Sequence, residues 1–122
     1  MGTVTLTSQA APIGAIISKI TAANGTANAN ITGASGTLHV IQINNNANSS
    51  AMYFKMVDGT SATVGTTEPH FIFRVSASST LTCVFPGGIA FTSGFTAYCV
   101  DGPGTAGTAS PGSSVTVHFI ST

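Results

Sequence analysis

The feature that most constrains this chain is alternation. Residues 71–76 (FIFRVS) place Phe71, Phe73 and Val75 on one side of an extended backbone and Ile72, Arg74 and Ser76 on the other, because successive side chains of a strand point to opposite faces. The same period of two organises residues 80–85, where Leu81, Cys83 and Phe85 form the apolar set. In residues 95–100, Phe95, Ala97 and Cys99 alternate with Thr96, Tyr98 and Val100. In residues 114–120, Val115, Val117 and Phe119 point inward, and Thr116 and His118 outward. No window carries a helical stripe, so the chain predicts strands throughout.

Further runs complete the set: residues 4–7 (VTLT), 13–21 (IGAIISKIT), 37–44 (TLHVIQIN), 51–57 (AMYFKMV) and 89–92 (IAFT). The run 13–21 is almost continuously apolar, and its isoleucines and internal glycine favour strand over a short helix. Between the runs lie Gly, Pro, Asn, Asp and Ser, residues that set turns. Asn24-Gly25 marks a turn inside a long loop, 22–36, whose one large apolar residue is Ile31. Residues 77–79 are expected to join their flanking strands as a hairpin, and Pro86-Gly87-Gly88 to turn the chain between two separate strands. About eight strands without helices fit an all-β, single-domain antiparallel β-sandwich of jelly-roll or Greek-key type, an up-and-down barrel being the other closed solution. Residues 1–13 are expected to form an N-terminal arm or first strand, and 14–122 the sandwich domain; 122 residues suit one domain.

Only 5% of the residues are charged, three basic and three acidic, against roughly a quarter in ordinary soluble domains. The exterior must therefore be Ser, Thr, Asn, Gly and Ala. With no basic footprint, nucleic acid and acidic membranes are not expected partners. A positive mean hydropathy at zero net charge leaves a free monomer short of charge repulsion, a deficit that assembly would relieve. The start has no basic segment or long apolar run, no stretch approaches a membrane span, and synthesis in the cytoplasm is the expectation. Gly2 does not suit myristoylation, because Leu6 stands where Ser or Thr is needed.

The ionisable supply is Asp58, Glu68, Asp101, Lys19, Lys55, Arg74, His39, His70 and His118. Asp58 and Asp101 each precede glycine, as turn residues do. Glu68 and His70 flank Pro69 in an extended segment, a solvated loop rather than an acid–base pair. The histidines fall near three different strands without ligand spacing, and two cysteines alone cannot close a zinc site, so no metal or cofactor is expected. There is no G-x-S-x-G, and no enzymatic activity is expected. Cys83 and Cys99 share the inward parity, and in a reducing compartment buried thiols are favoured over a disulfide. The Asn-x-Ser/Thr triplets at Asn24, Asn30 and Asn48 need a secretory context to matter, and the glycine turns lack the following helix of a phosphate site.

Residues 51–122 resemble small virion-associated proteins of tailed bacteriophages. The shared pattern starts at a strand, 52–57, bearing Lys55. It continues through Thr63-Val64-Gly65-Thr66-Thr67-Glu68-Pro69 and 71–75, then Phe85-Pro86-Gly87-Gly88-Ile89-Ala90-Phe91-Thr92-Ser93-Gly94, and ends at Val115-Thr116-Val117. The resemblance implies a virion structural protein assembled in the bacterial cytoplasm. The leading expectation is a capsid decoration or cement protein that binds the major capsid protein as a homo-oligomer, a trimer being favoured. A tail or baseplate component or receptor-binding tip is the alternative, and a small glycan-binding module the alternative of another class. Expected contact residues are Thr3, Val4, Thr5, Leu6, Pro12 and Ile13 of the arm, with Asn24, Asn30 and Ile31 of the long loop, since uncharged, backbone-rich segments suit strand addition.

Overall fold

The computed structural model describes residues 2–8 and 15–122. Among these, eight strands form two antiparallel sheets and there is no helix. The strands are β1 (Thr3–Ser8), β2 (Ile16–Thr21), β3 (Gly36–Asn44), β4 (Met52–Asp58), β5 (Phe71–Val75), β6 (Thr80–Phe91), β7 (Phe95–Val100) and β8 (Thr116–Ser121). One sheet has the order β1-β2-β8-β3-β6, the other β5-β4-β7.

The pairings are nested. β4 pairs with β5, β3 with β6, and β2 with β8, so the chain folds as one long antiparallel ribbon bent at residues 59–70. The segment 22–36 supplies the missing rung. It runs beside β7, where the Asn28 and Ala97 amides each donate to the other's carbonyl (2.8 and 3.1 Å), the Cys99 N–H donates to Asn24 O (2.8 Å) and the Ile31 N–H to Phe95 O (2.7 Å). Counted with that segment, the sheets are β1-β2-β8-β3-β6 and β5-β4-β7-(24–31), the winding of a jelly roll. The segment stays irregular because Ala22 (φ 54°) and Asn30 (φ 47°) break its extended path, conformations that Asn tolerates and strands do not.

The core lies between the sheets and follows the alternation. Leu38, Ile41, Ile43, Val117 and Phe119 of the larger sheet meet Phe54, Met56, Phe95, Ala97 and Cys99 of the smaller. Phe71, Phe91, Phe95 and Phe119 make a chain of ring contacts with centroids 5.6, 4.6 and 5.6 Å apart, so truncating Phe95 would open the centre of the core at about 3–5 kcal/mol. In β5, Phe71, Phe73 and Val75 turn inward and Ile72 and Arg74 outward, as the sequence predicts. β7 is buried on both faces, because Val57, Tyr98 and Val100 pack against Ala27, Ala62 and Val64 of the covering loops.

Two expectations about connections are corrected. Residues 77–79 do not close a hairpin: β5 belongs to the three-stranded sheet and β6 to the other, so they carry the chain across the sandwich. Pro86-Gly87-Gly88 is not a turn between two strands but a bulge inside the single twelve-residue β6. Between Leu38↔Ile89 and Val40↔Val84 the partner strand advances by two residues while β6 advances by five. The excess is absorbed where Pro86 lacks an N–H and Gly87 and Gly88 sit at φ 79° and 77°, and an edge strand tolerates both. A Cβ on Gly88 would also come within 2.2 Å of Thr37 Cγ2.

Polar side chains fasten the loops at both ends. Asn45 is fully buried, and its Nδ2 donates to the carbonyls of Ser50 (3.0 Å) and Ser76 (3.1 Å). Asn48 Nδ2 donates to Asn45 Oδ1 (2.8 Å) and Ser113 O (3.1 Å), and Asn48 Oδ1 accepts from the Ser113 N–H (2.8 Å). This pair ties the β3–β4, β5–β6 and β7–β8 connections together. Elsewhere the Asp58 carboxylate accepts from the N–H groups of Thr92 (3.0 Å), Ser93 (2.8 Å) and Gly94 (3.4 Å) and from the Thr92 hydroxyl (3.2 Å), holding the β6–β7 turn.

Candidate functional site

A sandwich offers neighbours its edges and its outer faces. Edges matter because unpaired N–H and C=O groups template pairing with another strand unless something blocks them. β7 is covered by residues 24–31. β6 carries the Pro86 bulge. β5 is short and presents Arg74. β1, with the sequence TVTLTS, has no charge, proline or bulge, and among the described residues nothing pairs with its outer edge.

The expected contact residues divide accordingly. Thr3, Val4, Thr5 and Leu6 come together on β1. Val4, opposite Ile20, packs against the core, Leu6 is 47% exposed, and Thr3 and Thr5 face solvent. The start of this strand is anchored by Asn28 Nδ2, which donates to Gly2 O (3.0 Å). Pro12 and Ile13 lie outside the described residues. Asn24, Asn30 and Ile31 are elsewhere, along β7 of the other sheet. Asn24 Oδ1 accepts from the Thr26 N–H (2.9 Å) and the Asn30 N–H donates to Thr96 Oγ1 (3.0 Å). Ile31 is 7% exposed and belongs to the core, so its side chain is withdrawn from any contact surface; a lone apolar residue in a polar loop was the signal of an anchor.

The outer face of the five-stranded sheet holds what sequence reading missed. The registers Thr7↔Ile17, Ile17↔Ile120, Ile120↔Val40 and Val40↔Val84 align one row across all five strands. Four of its five members are β-branched aliphatics, Val84 is 66% exposed, and a shallow apolar groove between His39, Val40, Ile120 and Thr122 opens on it. The next row, Thr5, Lys19, His118, Gln42 and Thr82, is polar and holds a single formal charge. Val40 reaches this face because the β3 bulge turns both His39 and Val40 away from Leu38 and Ile41. Each of these residues stands on the outward parity of its own strand, but only the register reveals the row.

The ionisable groups are dispersed. Lys55 is fully buried on the outer side of the three-stranded sheet, where Nζ donates to Gly104 O (2.6 Å) and lies 6.0 Å from the Tyr98 ring centroid. Burial lowers its pKa from the ordinary lysine value and raises that of Tyr98. Cys83 and Cys99 are free thiols on opposite sheets, and burial, opposed by the nearby Lys55, pushes Cys99 up to about 12. His70 Nδ1 accepts from the Asp58 N–H (3.1 Å), and His39 Nε2 meets Thr122 Oγ1 at 2.9 Å. Among the described residues no three His, Cys, Asp or Glu side chains converge. Tyr98 is buried and Tyr53 half-buried, both within strands. The arrangement offers neighbours an open strand edge and a face whose apolar row lies beside a row with a single formal charge. No family model, curated protein or solved structure matches this chain.

Proposed function

We propose that this protein is a non-enzymatic structural component of a tailed-bacteriophage virion, a capsid decoration protein that binds the major capsid protein, assembles there as a trimer and stabilises the head. The observation that carries this reading is the in-register apolar row of Ile17, Ile120, Val40 and Val84, left open on a face with almost no charge. Covering such a row is favourable by roughly 25 cal/mol per Å² of apolar surface removed from water, and the neutral surroundings add little desolvation cost. The loops pinned by Asn45, Asn48 and Asp58 leave little to be ordered on docking, which conserves binding free energy. Jelly-roll sandwiches recur in viral capsid proteins. The mechanism is mass action: each copy adds interface free energy present only in the assembled shell.

The test mixes purified protein with separated heads and tails of the phage that encodes it. Saturable binding to heads at fixed stoichiometry, with heads that then withstand a higher temperature, is expected. Val84→Lys, at an exposed position where substitutions usually change stability by less than about 0.5 kcal/mol, should fold normally and lose that binding. Attachment to tails alone, or undiminished binding by Val84→Lys, would overturn the reading.

A further inference from the structure

We infer that β1 is a self-association strand, pairing antiparallel with β1 of a second copy about a two-fold axis through Thr5. Residues 3–7 read Thr-Val-Thr-Leu-Thr, a pattern that is its own complement under that axis. With Thr5 opposite the partner's Thr5, Thr3 lies opposite the partner's Thr7 and Val4 opposite the partner's Leu6. Residues opposite one another in an antiparallel pair share a face, so threonine meets threonine on the outer face and the two apolar residues meet on the core side. Leu6, 47% exposed at the rim of the core, would then be covered by the second copy's Val4. A one-residue slip would set apolar side chains against the threonine face, and of the registers that keep the faces matched only the one centred on Thr5 sets Val4 against Leu6.

The choice of a second copy as the occupant rests on this self-match and on charge. β1 has no charged residue, so two copies approach without the like-charge opposition that usually protects edges. The other three edges are closed by the β6 bulge, by Arg74 on the short β5 and by residues 24–31. Pairing would continue the five-stranded sheet into one of ten strands, with the row Thr7–Ile17–Ile120–Val40–Val84 abutting the second copy's Thr3 and lying offset by four residues from that copy's own row. Edge pairing over five residues is far smaller than the roughly 800 Å² per partner of a stable dimer. Free protein therefore pairs weakly, and copies belonging to neighbouring oligomers held side by side on a common support pair through effective concentration. The inference is independent of the virion reading, since free protein suffices to test it.

The experiment adds one cysteine at a time to a Cys83→Ala background, in which the remaining Cys99 is buried, under mild oxidation at high protein concentration, with unfolding curves as the control for folding. Thr5→Cys should form disulfide-linked dimers, since directly opposed strand residues have Cα atoms within the range a disulfide spans. Thr3→Cys and Thr7→Cys should each remain monomeric alone and cross-link to one another on mixing. Thr5→Lys should weaken self-association in sedimentation by up to about fivefold, since like charges directly opposite are unfavourable. Absence of any cross-link, or Thr3→Cys linking to itself as readily as to Thr7→Cys, would overturn the inference whatever happens on phage heads.

Discussion

Replacing Asn48 with alanine should unfasten the β3–β4 connection from the β7–β8 connection. The side chain is 6% exposed and makes three hydrogen bonds, to Asn45 Oδ1, to Ser113 O and from the Ser113 N–H, all between 2.8 and 3.1 Å. At a net value of about 1 kcal/mol each, and with buried partners left unpaired, the loss is about 3 kcal/mol. With an m-value of about 1.5 kcal/mol/M in urea, the unfolding midpoint should fall by about 2 M at unchanged slope. Asn48→Asp refines the test. It keeps the acceptor facing Ser113 N–H but sets a carboxylate oxygen against Asn45 Oδ1 and Ser113 O, so at pH 7 it should destabilise at least as much as alanine. Its deficit should shrink as acid restores a proton donor. A midpoint lowered by less than about 0.3 M in Asn48→Ala would refute the view that this pair holds the end of the sandwich together.

Alkali should also unfold the protein through Cys99, whose thiol keeps its proton up to about 12 when folded against an ordinary 9.0. The folded state then binds more protons, so stability falls as pH rises above 9, by about 3 kcal/mol at pH 11. Cys99→Ala should flatten that limb of a urea-midpoint profile, leaving only the slope owed to groups such as Tyr98 and Lys55; an identical profile would refute it. In acid the sign reverses for Asp58, whose pKa is lowered first by the Ser93 N–H and then by the Thr92 and Gly94 donors. Its stabilisation is present above the ordinary 3.8 and lost as pH falls through the folded value. Asp58→Ala should therefore melt below the parent at pH 7, by a margin that narrows as pH falls below the ordinary 3.8, by calorimetry.

Much of the sandwich was legible because alternation is a local property. The inward set Phe71, Phe73 and Val75, and that of Val115, Val117 and Phe119, needed only a period of two and one buried face. Connections were harder, because turn chemistry reports a backbone conformation and not a destination. Gly87 and Gly88 do adopt positive φ, yet a bulge needs that as much as a turn does. Residues 77–79 do reverse the chain, yet nothing in Ala-Ser-Ser says that the next strand joins β3 rather than β5. The row of Ile17, Ile120, Val40 and Val84 was invisible for a related reason: its members are 23 to 103 residues apart and become neighbours only through register. In the sequence Lys55 is only a lysine on a strand, and its burial depends on Gly104 in a loop 49 positions away.

The nested ribbon also fixes when the protein can finish folding. β8 is the central strand of its sheet, flanked by β2 and β3, and it comes after the other seven described strands along the chain. Until residues 116–121 leave the ribosome, β2 has no inner neighbour and one side of β3 is bare, whereas β4 and β5 can already pair across a twelve-residue bend. Closure of contacts this distant along the chain is slow, so before residues 116–121 dock, β1–β2 and β3–β6 stand as separate halves of an unfinished sheet with exposed inner edges, the stage at which crowding most endangers the chain.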